Sequence, residues 1–136
     1  MAAEKQGMRH PNLVAALAAF QSEAPTIPNT QTAHVHTQKG PGYSYSYADL
    51  ASVVSIVIPK LGEHGLAWIC ETKLDEQGRF LLHSTLAHES GEQRESVYPL
   101  PPAGTNEQVV GKVMTYARRY TLLGLIGLAS GGEDED

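Results

Sequence analysis

Three cations stand close together in one stretch of helical periodicity: Lys112, Arg118 and Arg119, within Gly111-Lys112-Val113-Met114-Thr115-Tyr116-Ala117-Arg118-Arg119-Tyr120. At about 100° per residue, Gln108, Lys112, Thr115 and Arg119 share one side of a helix, with Arg118 at its margin. No acidic residue follows Glu107 until Glu133. Such a face suits an anion, although solvation and the helix dipole alone also favour late cations. A second candidate group is Tyr43-Ser44-Tyr45-Ser46-Tyr47, just after Lys39-Gly40-Pro41-Gly42. Its strict alternation places three aromatic rings on one face of a short strand. These rings could simply cover a sheet, or could accept flat ligands.

Other chemistries find less support. His34-x-His36 could present two imidazoles on one strand face, but no second pair follows at zinc spacing. Cys70 falls on an alternating strand, where a small buried thiol is commoner than a nucleophile. There is no phosphate loop, dinucleotide fingerprint or nucleophile elbow. Carboxylates concentrate in turns and at the end of the chain, so the residues do not read as an enzyme. No cofactor is implied.

The elements that must position these groups can be read in order. Residues 1–10 are polar and patternless and read as a flexible lead, and 11–132 as one core domain. Pro11 suits the first turn of a helix carrying Leu13, Val14, Leu17 and Phe20. Pro25 and Pro28 end it, and a polar extended linker leads to the tyrosine strand. Asp49 stands ahead of a helix with Leu50, Val53, Val54, Val57, Ile58 and Leu61 on its apolar face, which Pro59 should kink or shorten. Strands over 66–74, 79–88 and 93–100 are separated by Asp75-Glu76-Gln77-Gly78 and Glu89-Ser90-Gly91-Glu92, so they form an antiparallel meander. Thr105 and Gln108 have capping-box spacing ahead of a long helix over about 105–123. Its buried line should be Val109, Val113, Ala117, Tyr120 and Gly124. The class is α+β, an antiparallel β-meander with helices packed on one face.

With 136 residues, 41% of them hydrophobic, the chain fits a single domain with a real core. No apolar run reaches the ~20 residues of a membrane span. One cysteine and no signal-type N-terminus agree with a reducing, cytoplasmic setting. The net charge of −5 is uneven, because the acidic tail Glu133-Asp134-Glu135-Asp136 holds four of the fifteen acidic residues. The remainder is nearly neutral, with 10 basic and 11 acidic side chains, and can still present a basic groove. A basic helix face beside a tyrosine strand offers the two parts that single-stranded nucleic acid needs: cations for phosphates and aromatic faces for bases.

The order of these blocks resembles the ERF (essential recombination function) family of phage single-strand annealing proteins. The likeness rests on Lys39-Gly40-Pro41-Gly42-Tyr43-Ser44-Tyr45, on Asp49-Leu50 leading to Leu61-Gly62-Glu63-His64-Gly65-Leu66, and on Pro99-Leu100-Pro101. Most specific is Gly111-Lys112-Val113-Met114-Thr115-Tyr116-Ala117-Arg118-Arg119-Tyr120-Thr121-Leu122. The match spans roughly residues 12–132. It departs from the family at Gly131-Gly132, where an acidic run stands in place of a variable C-terminal region. The resemblance implies binding and ATP-independent annealing of single-stranded DNA in recombination within a bacterial host cell. It also implies assembly into rings or helical filaments, and a host single-strand binding protein or phage exonuclease as further partners. The implied fold is similar to the core of the eukaryotic strand-annealing repair protein. Residues matching the family's DNA contacts are Lys39, Tyr43, Tyr45, Lys112, Thr115, Arg118 and Arg119, while Tyr116 and Tyr120 match the signature but fall in helical phase with the core. Two other readings remain open: a passive single-strand coating protein, and an oligomeric structural protein whose basic face pairs with a neighbour's acidic tail.

Overall fold

Helix-start chemistry and strand alternation lay out most of the chain in the computed structural model, which describes residues 8–129. Helix α1 covers Leu13–Ser22 and is capped by Asn12, whose side chain accepts from the Ala15 N–H at 2.8 Å. Pro11 therefore precedes the cap and does not occupy the first turn. A second acceptor reaches this end from far along the chain: the Glu92 carboxylate takes the Leu13 N–H at 2.7 Å. Two of the donors that any helix start leaves unpaired are thus satisfied. Leu13, Ala16, Leu17 and Phe20 are buried, whereas Val14 points to solvent.

Strand β1 (Gln31–Val35) pairs antiparallel with β2 (Tyr43–Tyr47), with Val35 opposite Tyr43 and Gln31 opposite Tyr47. The segment expected to be a linker thus contains a strand. It carries no apolar alternation to read, because both faces of this hairpin are largely exposed. A two-stranded ribbon is marginal alone. Its roots are held by Ile27 and Ala48, both buried in the main core.

Helix α2 (Leu50–Glu63) starts on Asp49, which accepts from the Ser52 N–H at 2.9 Å. Hydrogen bonds from Ser52, hydroxyl and backbone, hold the Asp49 carboxyl below its ordinary value. Pro59 does not end the helix, which runs on to Glu63. A proline costs one backbone hydrogen bond, and the buried stripe Val53, Val57 and Leu61 carries the helix past it.

Strands β3 (Leu66–Leu74), β4 (Phe80–His88) and β5 (Gln93–Pro99) form the expected meander in the order β3-β4-β5. On β4, Leu82, Ser84, Leu86 and His88 alternate inward. The three helices pack on that one face, so the molecule is α+β with two antiparallel sheets. One cluster joins α1, α2 and the end of α3 to Leu66 and Leu86, and a second joins Leu82 and Leu100 to Ala117. Trp68 donates to the Ser84 hydroxyl at 2.7 Å, which satisfies two polar groups between sheet and helices.

Helix α3 covers Glu107–Ile126, with Asn106 and not Thr105 at its cap. It passes Gly124 and stops at Gly127, which adopts the left-handed conformation (φ 75°) that side chains resist. Its buried line is also displaced from the expected one. Val113, Met114 and Ala117 meet the sheet and Thr121 is buried, while Val109, Tyr120 and Gly124 are exposed. The reason is chemical: Thr121 is buried because its hydroxyl donates to the Ala117 carbonyl at 2.7 Å, a partner that apolar periodicity cannot register.

Of the expected lead, residues 1–7 lie outside the described residues, while Arg9 and His10 are tied to the body. Arg9 hydrogen-bonds the Gly62 carbonyl and His10 meets His64 at 2.9 Å. The acidic tail at 133–136 also lies outside the described residues. Among the described residues, no helix is long and apolar enough to cross a membrane.

Candidate nucleic-acid interface

The β1–β2 hairpin stands over the first half of α3 and leaves an open groove of about 800 Å³ between them. Ala33, Tyr45 and Tyr47 form the hairpin wall, and Gln108, Gly111, Lys112, Thr115, Tyr116 and Arg119 form the helix wall. Helical periodicity explains this second wall: positions 108, 111, 112, 115 and 119 recur at three and four residues and lie on one face. Among the described residues, no carboxylate lines the groove.

The two cations of the groove are held differently. Lys112 is exposed on the helix. Arg119 is half-buried and is built into the fold. Its guanidinium lies 5.1 Å from the Tyr47 ring centroid and 5.8 Å from that of Tyr116, and it donates to the Ala48 carbonyl at 3.2 Å. Arg119 therefore clamps the root of the hairpin to α3 while facing the groove. The rings of Tyr45 and Tyr47 lie 6.0 Å apart at 47°.

Gly111 adds an informative feature. A Cβ built there would meet nothing within 4 Å, so packing does not require glycine. A glycine inside a helix costs about 1 kcal/mol relative to alanine. Its use on a groove floor leaves helix backbone open to close approach by a ligand.

Of the seven residues named from sequence, Tyr45, Lys112, Thr115 and Arg119 converge in this groove. Lys39 is exposed in the turn that ends β1, and Tyr43 is 58% exposed at the paired end of the hairpin. Both lie outside the groove lining. Arg118 turns the other way, with its guanidinium 5.8 Å from the Trp68 ring centroid on β3. Burial pushes the Cys70 thiol up, and the neighbouring Arg118 charge opposes that shift. Ala33, Tyr47, Gln108, Gly111 and Tyr116 also line the groove and are not among those seven. Gln108 shares the helical phase of Lys112 and Tyr47 the strand phase of Tyr45, so both carried a signal. Ala33 carries none, because its strand has no buried side chain to impose an apolar alternation.

Elsewhere, several histidines are engaged in contacts within the fold. His34 takes a hydrogen bond with Ser44 across the hairpin at 2.8 Å. His64 links His10 to Glu23, and the His64 hydrogen bond, with the Lys60 charge, holds the Glu23 carboxyl below its ordinary value. Among the described residues, no three His, Cys, Asp or Glu side chains are grouped as a metal would need.

A family model described as the ERF superfamily matches residues 13–136, and so covers both walls of the groove. Neither the comparison with curated proteins nor that with solved structures gives a match.

Proposed function

Because the chain belongs to the ERF superfamily, we propose that it binds single-stranded DNA and anneals complementary strands in phage recombination. It does so without ATP, as a ring or filament of copies. The observation that carries this reading is the groove, where Lys112, Thr115 and Arg119 face Tyr45 and Tyr47 with no carboxylate among them. Phosphates lie against Lys112 and Arg119, with the Thr115 hydroxyl and Gln108 amide as further donors. These contacts read backbone and not base identity, as annealing of any sequence requires. The groove is open to solvent, so a bound strand can offer bases to a complement without leaving the protein.

Proton transfer or covalent chemistry has no part in this scheme. The protein lowers the barrier to pairing by keeping one strand extended and by screening phosphate repulsion between two strands. Placing copies side by side multiplies weak contacts along the same strand. Lys112 supplies an exposed charge, and Arg119 supplies one held in place over the Tyr47 ring.

The test is annealing of two complementary oligonucleotides in the absence of nucleotide, with binding measured across a salt series. Lys112→Ala should slow annealing and weaken binding to every sequence alike. It should also reduce the slope of log K against log salt by about one unit per lost phosphate contact. Unchanged affinity and slope would remove Lys112 from the interface. Binding without acceleration of pairing would leave a coating protein and overturn annealing.

A further inference from the structure

Tyr116 and Tyr120 fall in phase with the expected buried line of α3, yet they are 46% and 60% exposed. They are also arranged. Their rings are stacked, with centroids 5.5 Å apart and planes inclined by 17°. Tyr98 of β5 meets both edge-on, at 6.3 Å and 6.4 Å, and fixes them from below. Tyr116 belongs at once to the groove lining and to this cluster, with the Arg119 guanidinium 5.8 Å from its ring centroid. A line along the helix surface therefore passes from Lys112 and Arg119, which suit phosphates, to two exposed, parallel aromatic rings.

Resting on the nucleic-acid reading of the groove, we infer that Tyr116 and Tyr120, buttressed by Tyr98, form a stacking platform for nucleobases of the bound single strand. Three features favour this occupant. The rings are preordered by their mutual contacts, so little side-chain freedom is lost when a flat ligand lands on them. Every base has a π-face, so stacking adds affinity without sequence preference. And the platform adjoins the cationic groove at Tyr116, so one strand can meet both with its phosphates and bases on their respective sides. The interaction has two components with different signatures: phosphate contacts that weaken with salt, and base stacking that persists at high salt.

The experiment compares a thymidine oligonucleotide with an abasic strand of equal length, which keeps the phosphates and lacks the bases. Affinities are measured by fluorescence anisotropy at low and high salt for the wild type, Tyr120→Ala and Tyr120→Phe. Tyr120 is exposed enough for both variants to fold, which circular dichroism verifies. The wild type should prefer the thymidine strand, and the preference should grow with salt. Tyr120→Ala should lose about tenfold on the thymidine strand and little on the abasic one, and Tyr120→Phe should restore most of the loss. Lys112→Ala should weaken both strands alike. Equal affinity of the wild type for the two strands, or an equal loss on both in Tyr120→Ala, overturns the platform while leaving the groove intact. A change of particle size in Tyr120→Ala without any base dependence assigns the tyrosines to contact between copies, and overturns it too. Failure of the wild type to bind either strand removes the groove reading itself.

Discussion

Arg119 shows how one side chain can serve the fold and the site together. Its guanidinium lies over Tyr47, near Tyr116, and donates to the Ala48 carbonyl, so charge alone does not describe it. A planar fork can stack and donate at once, which an ammonium cannot. Arg119→Lys should therefore keep the groove's formal charge and still loosen the hairpin root, at a cost of about 1 kcal/mol in stability. Thermal melting checks the cost, and amide exchange over residues 43–48 locates it. Lys112→Ala, at an exposed position, should leave the melting temperature where it was. If Arg119→Lys melts like the wild type with unchanged exchange, the clamp is not what holds the hairpin. The same residue marks a limit of sequence reading. Its helical phase places it on the polar side with Lys112 and Thr115, but nothing in that phase predicts an aromatic partner 72 residues upstream. Arg118, next in the chain, had a similar signal and turns instead to Trp68.

At the scale of elements, the hairpin decides whether there is a groove at all. Gly42 enters β2 so close to β1 that a Cβ there would lie 2.2 Å from the Val35 carbonyl oxygen. That neighbour is backbone, which cannot swing aside. Gly42→Ala should separate the strands at the Val35–Tyr43 pair. Amide exchange should quicken across Gln31–Val35 and Tyr43–Tyr47, and single-strand affinity should fall. The melting of the body should change little, because the large buried side chains belong to the three helices and the meander. Protected hairpin amides in the variant would mean that the chain absorbs the methyl and the contact is not decisive. The elements differ in how plainly the sequence announces them, and burial explains why. The meander was legible because β4 alternates between a buried and a less buried face. Strand β1 was not, because Gln31-Thr32-Ala33-His34-Val35 has no deeply buried side chain and so no constraint toward apolar residues. On α3 the buried face departs from the apolar phase because a buried threonine and two exposed tyrosines invert what side-chain polarity suggests. Those two tyrosines are also where the molecule departs most from an ordinary amphipathic helix, and such departures gather at functional surfaces.

At the scale of the whole molecule the charge runs against the proposed ligand: the chain has a net charge of −5 and single-stranded DNA is a polyanion. Four of the negative charges are Glu133–Asp136, and without them the net charge is −1. Among the described residues the groove's lining has no carboxylate, so the repulsion they exert on DNA comes from the surrounding field and not from the contact surface. Fields of that kind act on encounter more than on the final complex, and they fade beyond a Debye length of about 10 Å at 0.1 M salt. Removal of residues 133–136 should therefore speed association with single-stranded DNA at low salt, on the order of a few-fold. Dissociation should be almost unaffected, and the two proteins should converge as salt rises. Stopped-flow association across a salt series measures this directly. Equal rates at low salt would mean that the four carboxylates do not bear on the approach of DNA. A persistent difference at high salt would require direct contact between these residues and the groove. If that contact joins neighbouring copies, truncation must also shrink the particle measured by light scattering, which separates bridging between subunits from simple repulsion.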